Sequence, residues 1–244
     1  EAHLMIRESA KDYKPGETLK TTYIEIPQVN HTYSCVLLKP HWIWGAEMGW
    51  NEFGLNIGNE AVFSKVKREK ENGLIGMDLL RLALERCKTA KEAVELITSL
   101  IQTYGQAGNC GFDKKFYYDN AFLIADETES YVLETAGRNY AIKKVMDTAT
   151  ISNCYSIRDD YNFASNNFNG DFKATYQNNL FTYVAGAERR KKTSFNILME
   201  NDSPFNLMAK ALSSHSSDKI TVNKSSTDSV CMHAGNMFGD QTTG

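Results

Sequence analysis

The chain has 244 residues, 42% hydrophobic and 23% charged, a composition that fits an ordinary folded domain long enough to build one substantial core. A formal charge of −3 gives no electrostatic reason to bind nucleic acid or an anionic membrane surface, and no apolar run is long enough to span a bilayer. The five cysteines, Cys35, Cys87, Cys110, Cys154 and Cys231, are odd in number, scattered and never spaced as CxxC, so they read as reduced thiols of a cytoplasmic protein. That pattern excludes a disulfide scaffold and a zinc framework, and no metal or cofactor is expected.

The predicted elements begin with strands. Thr21–Val29 and Tyr33–Leu38 flank a turn-like Asn30-His31-Thr32 and read as a hairpin, and Met48–Phe63 reads as a strand marked by Gly49, Gly54 and Gly58. Leu74–Arg86 carries apolar residues at helical spacing. Thr89-Ala90-Lys91-Glu92 is a capping box that opens a second helix with an apolar stripe of Ala93, Val94, Ile97, Leu100 and Ile101. The break between the helices is short, so they should pack antiparallel. The glycines of Tyr104–Gly111 end this helix, and no Lys-Ser/Thr follows them, so a flexible connector is expected in place of a phosphate loop.

Strands return at Ala121–Asp126, Ser130–Thr135, Tyr140–Val145 and Thr148–Ser152, joined closely enough for an antiparallel meander. Asp160–Gly170 reads as a polar loop. Helices are expected near Ala187–Met199 and Pro204–Leu212, the latter capped by Ser203, followed by a polar stretch and a last strand at Val230–His233. The order sheet, helix pair, sheet, helix pair, without βαβ crossovers, points to an α+β fold of antiparallel sheets covered by helices, with residues 1–244 forming a single domain.

Two asparagines break the strand patterns. In Trp50–Phe63 the residues Phe53, Leu55, Ile57, Ala61 and Phe63 recur at period two, and Asn59 falls among them. In Thr148–Ile157 the set Ala149, Ile151, Tyr155 and Ile157 contains Asn153. A buried amide must be bonded, so each could simply satisfy the core. Two of them on separate strands also suit stabilisation of a developing oxyanion. Among the remaining candidates, Arg190 in Ala187-Glu188-Arg189-Arg190-Lys191-Lys192 either belongs to a solvated basic face or binds a substrate carboxylate. His233 follows Cys231 at strand spacing, Trp50 could line an apolar pocket, and His3, His31, His41 and His215 are expected to be exposed without partners.

The segments WNEFGLNIGNEAVF, GMDLLRLALERCKTAKEAVELI, YGQAGNCG, ISNCYSI and VCMHAG, in that order, resemble the secernin and dipeptidase A family of cysteine N-terminal nucleophile (Ntn) hydrolases, related to penicillin V acylase and bile salt hydrolase. The resemblance implies an αββα sandwich and hydrolysis of a small amide, typically a dipeptide, by an N-terminal cysteine whose own α-amino group serves as base. It implies catalytic roles for Asn59 and Asn153, with Glu60 and Asn56 as alternatives at the first position. Glu60, Trp50, Arg190 and His233 are then candidates for substrate binding. The resemblance also implies an internal fragment that lacks the nucleophile segment, is truncated at both ends and is inactive alone. An acyltransferase of the same fold and a non-catalytic secernin-like scaffold are the alternatives. The expected partner is a small-molecule or dipeptide substrate, with no nucleic acid and no membrane, and a homo-oligomer is left open.

Overall fold

A computed structural model describes residues 2–216 and 228–231. Its elements in chain order are β1 (His3–Glu8), β2 (Lys11–Asp12), β3 (Thr18–Lys20), β4 (Glu25–Pro27), β5 (His31–Thr32), β6 (Cys35–Pro40), β7 (Met48–Asn51), β8 (Asn56–Val62), α1 (Gly76–Arg86), α2 (Ala90–Tyr104), β9 (Asp119–Ala125), β10 (Ser130–Ala136), β11 (Asn139–Lys144), β12 (Phe163–Ala164), α3 (Phe172–Tyr176), α4 (Asn179–Val184), α5 (Ala187–Leu198) and α6 (Pro204–Leu212). One eight-stranded sheet runs β1-β6-β7-β8-β9-β10-β11-β12, and every neighbouring pair in it is antiparallel. The expected α+β class of antiparallel strands covered by helices is what the chain adopts.

Alternation along the strands gives the sheet two apolar faces. Leu37, Leu55, Ile57, Phe122, Ile124 and Leu133 pack beneath α1 and α2 with Leu79, Leu82, Ile97 and Ile101. Val62, Ala121, Val132, Ala136 and Ala141 pack on the other face against Tyr155, Ile157 and Phe172. Each fully buried leucine or isoleucine contributes roughly 1.5–3 kcal/mol relative to exposure, so the two layers together fix the sheet.

The single expected strand Met48–Phe63 is instead a hairpin, because Asn51 folds it. Its Oδ1 accepts from Phe53 N–H and Leu55 N–H at 3.0 and 3.2 Å, and Gly54 takes the left-handed φ of 78° that the turn requires. The same carboxamide donates to Leu84 O and Cys87 O, tying the hairpin to the end of α1. The expected hairpin of Thr21–Val29 with Tyr33–Leu38 does not form: β4 pairs with β3, and β6 pairs with β1 and β7. The capping box at Thr89 holds in its first half, Thr89 Oγ1 accepting from Glu92 N–H, while Glu92 reaches back to Lys88 N–H. The meander β9–β10–β11 and the Ser203 cap are as expected.

Thr148–Ser152 is not a strand. Cys154 N–H closes a tight bend onto Ser152 O at 2.6 Å, which takes the segment out of the sheet and leaves Asn153 at the tip. His3, His31 and His41 are exposed as expected, but each has a partner. His3 Nε2 lies 3.0 Å from Glu47 Oε2, His31 Nδ1 lies 2.6 Å from Asp12 Oδ1, and His41 packs edge-on against Phe112. The expected last strand Val230–His233 lies largely outside the described residues.

Candidate active site

Adjacent residues of β8 serve opposite faces of the sheet. Asn59 stands opposite Phe122 of the helix-covered face, and Glu60 stands opposite Ala121 of the other. The two asparagines singled out by the sequence therefore reach β8 from different sides.

On the second face, three of the candidates meet. Asn153 Nδ2 donates to Glu60 Oε2 at 3.0 Å and to Ala61 O at 2.9 Å, and Arg190 Nη2 donates to Asn153 Oδ1. Asn153 thus joins a carboxylate to a guanidinium through an amide hydrogen and its oxygen, while a second donation ties it to the β8 backbone at Ala61. Arg190 reaches in from α5 and also donates to Ala185 O. Arg189, its neighbour, is exposed and pairs with Asp228 at 2.8 Å, so α5 turns one arginine inward and one outward. Burial pushes the Glu60 carboxyl up to about 7 despite the pull of Arg190, and burial lowers the Arg190 guanidinium while Glu60 opposes that shift.

The bend that carries Asn153 is itself anchored. Glu134, fully buried on β10, accepts from Ser156 N–H at 2.7 Å, Ser156 Oγ at 2.6 Å and Ile157 N–H at 3.0 Å. Tyr155 donates its hydroxyl to Thr135 O at 2.6 Å and its backbone N–H to Gln177 Oε1. Sequence reasoning passed over Glu134, although a glutamate inside an apolar strand was the available signal.

On the helix-covered face, Asn59 Nδ2 donates to Asn120 Oδ1 at 2.8 Å and lies 3.7 Å from Met77 Sδ of α1. The amide network continues inward: Asn120 Nδ2 donates to Gln106 Oε1 at 2.8 Å, and Gln106 Nε2 donates to Thr135 Oγ1 at 3.0 Å and Asp119 Oδ1 at 3.1 Å. The segment expected to be a flexible connector is therefore built into the core at Gln106, which is buried. Asn56, the alternative to Asn59, is exposed and donates to Gly54 O.

Trp50 is exposed on β7 opposite Asn56, on the face that bears Glu60 but farther along the sheet. His233 lies outside the described residues. A cavity of about 530 Å³ lies between the end of β11 and α5, lined by Lys143, Val145, Thr150, Ser156, Lys191 and Phe195 among others, and none of Glu60, Asn153 and Arg190 lines it. Four of the five thiols are shifted away from activation. Burial pushes Cys35, Cys87 and Cys110 up to about 12 and Cys154 up to about 11, so these four stay protonated at neutral pH.

An antiparallel sheet under a helix pair, with partnered amides on both faces of β8, makes this an α+β protein. Residues 2–224 match the family model described as acyl-coenzyme A:6-aminopenicillanic acid acyl-transferase, and the chain belongs to that family. A curated relative, probable dipeptidase B of Lactococcus lactis subsp. lactis (strain IL1403), is 28% identical over 143 residues, covering 52% of this chain and 28% of the relative. Among solved structures, a mutant conjugated bile acid hydrolase from Clostridium perfringens matches with a TM-score of 0.41 at 15% identity, covering 59% of this chain and 43% of that one. Penicillin V acylase from Agrobacterium tumefaciens matches with a TM-score of 0.37 at 15% identity, covering 57% and 45%. The chain thus spans under a third of the length of this curated relative.

Proposed function

We propose that the protein is an amide-bond hydrolase that acts on dipeptides or similarly small zwitterionic amides. The observation that carries this reading is the Glu60–Asn153–Arg190 group, which holds one negative and one positive side chain a single carboxamide apart. A dipeptide carries the complementary charges at its two ends, so Arg190 would take its carboxylate in the bidentate manner of a guanidinium, and Glu60 its ammonium. Trp50 and His233 are proposed to contact the substrate. Asn153 would act by holding Glu60 and Arg190 in place, whereas Asn59, on the opposite face of β8 against Asn120 and Met77, is given no contact with the substrate.

The nucleophile in this proposal is a cysteine other than the four buried thiols, made N-terminal by processing, with its α-amino group as base. The 244 residues alone are then inactive. The family's acyl-transferase description favours a second reading, in which an amine replaces water as acceptor. The retained scaffold without an activated thiol favours a third, a non-catalytic protein.

The test is turnover by the full-length protein of a dipeptide, its N-acetyl form and its C-terminal amide, with and without added amine. Cleavage of the free dipeptide with loss on either blocking supports the proposal. Equal turnover of all three, or none, overturns it, and an amine-dependent product selects acyl transfer.

A further inference from the structure

We infer that the cleft between the end of β11 and the α5–α6 pair binds an amphipathic anion, of which an alkyl carboxylate is the simplest form. The cleft is separate from the Glu60–Asn153–Arg190 group, none of whose residues lines it, so its ligand need not be the substrate of that group.

The hollow has two limbs on the second face of the sheet. The cavity of about 530 Å³ between β11 and α5 adjoins one of about 330 Å³, and the two share Val145, Asp147, Thr148 and Ala149. Their floors meet on the sheet, where Leu123 of the smaller limb pairs with Val132 of the larger. The walls are tied in place. Val145 N–H donates to Ser130 O at 2.8 Å, Thr150 Oγ1 donates to Lys191 O at 3.3 Å, and Glu134 holds Ser156 by two bonds. A hollow that is already formed costs little to fill, because no backbone has to be reordered around the ligand.

Polarity is divided unevenly between the limbs. The smaller is mainly apolar, lined by Leu123, Ala125 and Val145 from the sheet side and by Leu198, Leu207 and Met208 from the helices. The larger carries Lys143, Lys144, Lys191 and Lys192 against Asp147 and Glu188. Lys143 is paired with Asp160, Lys144 with Glu129 and Glu188 with Lys173. Neither Lys191 nor Lys192 forms an ion pair among the described residues, which leaves two cations to one acid, Asp147. The Lys191 charge reaches Glu134, but that carboxylate is occupied by three bonds from Ser156 and Ile157. A half-buried ammonium that borders a hollow gains from a carboxylate placed there, and an alkyl tail on that carboxylate gains from the apolar limb alongside. A cationic amphiphile would bring its charge against the surplus lysines instead.

The test is calorimetric titration of the full-length protein with hexanoate, octanoate and decanoate, and with decyltrimethylammonium as the cationic counterpart, repeated on Lys191→Met and Met208→Glu. Decanoate is expected to bind, with affinity rising about three- to four-fold for each methylene added along the series. Decyltrimethylammonium should bind at least about tenfold more weakly than decanoate. Lys191→Met should weaken every carboxylate on the order of tenfold, whereas Met208→Glu should weaken decanoate and leave hexanoate unchanged. Met208 is exposed, so its variant is expected to keep the wild-type Tm, and Lys191→Gln carries the same reading should Lys191→Met fail to fold. No binding of decanoate, an affinity indifferent to chain length, equal binding of the cation, or wild-type affinity for decanoate in either variant overturns the inference. Dipeptide turnover is not among these readouts, so this site and the proposed function stand or fall separately.

Discussion

The two faces of β8 at Asn59 and Glu60 solve the same problem, a polar group against an apolar core, by opposite means. Asn59 joins a neutral amide network whose members carry no net charge until Asp119 at its far end. Glu60 joins a group with two charges bridged by one carboxamide. The neutral side is held by hydrogen-bond polarity and meets a titratable group only at Asp119, whose carboxyl burial raises. The charged side is held by electrostatics and should respond to pH and to the loss of either partner.

The charged side should break hardest. Arg190→Met leaves Glu60 buried without its cation, at a cost of about 3–5 kcal/mol in denaturant unfolding, and a Glu60→Gln partner change should return much of it. An additive double variant would show that the two side chains are not coupled. On the neutral side, Gly76→Ala inserts a methyl group against Asn120 and should cost about 1–3 kcal/mol by overpacking, again read by denaturant.

The pH response separates the faces further. The Glu60 carboxyl sits at about 7 in the fold, above its ordinary 4.5, so between those values the native state holds a proton that the unfolded chain has released. Stability should therefore fall as pH rises from about 4.5 to 7 and level off above, by an amount on the order of 1–3 kcal/mol from this group. Asp78, pushed up to about 6 by burial, adds a drop of the same sign in a lower window. Glu60→Gln should flatten the slope above pH 6, whereas Asn59→Ala should leave it intact, as melting curves across that range would show. The smallest effect is the control: Thr89→Ala removes a helix cap distant from both faces, costs about 1 kcal/mol, and should not touch kcat.

What the sequence revealed of this arrangement depended on the range of the interaction. The α1–α2 pair, the meander and the Ser203 cap were legible because periodicity and capping act over a few residues. Asn59, Asn153, Glu60 and Arg190 could be picked out because each is polar in a patterned segment or lies in a recognisable motif. That Asn59 and Glu60 part company follows from strand alternation. That Asn153 meets Glu60 instead does not, since it depends on the bend at Cys154 and on Glu134 holding Ser156 and Ile157 from another strand. Gln106 was misread as part of a flexible connector because its glycine-rich neighbours carry the local signal, while its partners Asp119, Asn120 and Thr135 are 13, 14 and 29 residues away.

The most direct test of the account is the kcat and KM of the full-length protein on a free dipeptide, measured for wild type, Asn59→Ala and Asn153→Ala at equal Tm-corrected folding. The account predicts cleavage by the wild type, a rise mainly in KM for Asn153→Ala as Glu60 and Arg190 lose their bridge, and little change in either constant for Asn59→Ala on the other face of β8. An unchanged KM in Asn153→Ala, or a larger loss in Asn59→Ala than in Asn153→Ala, would contradict it.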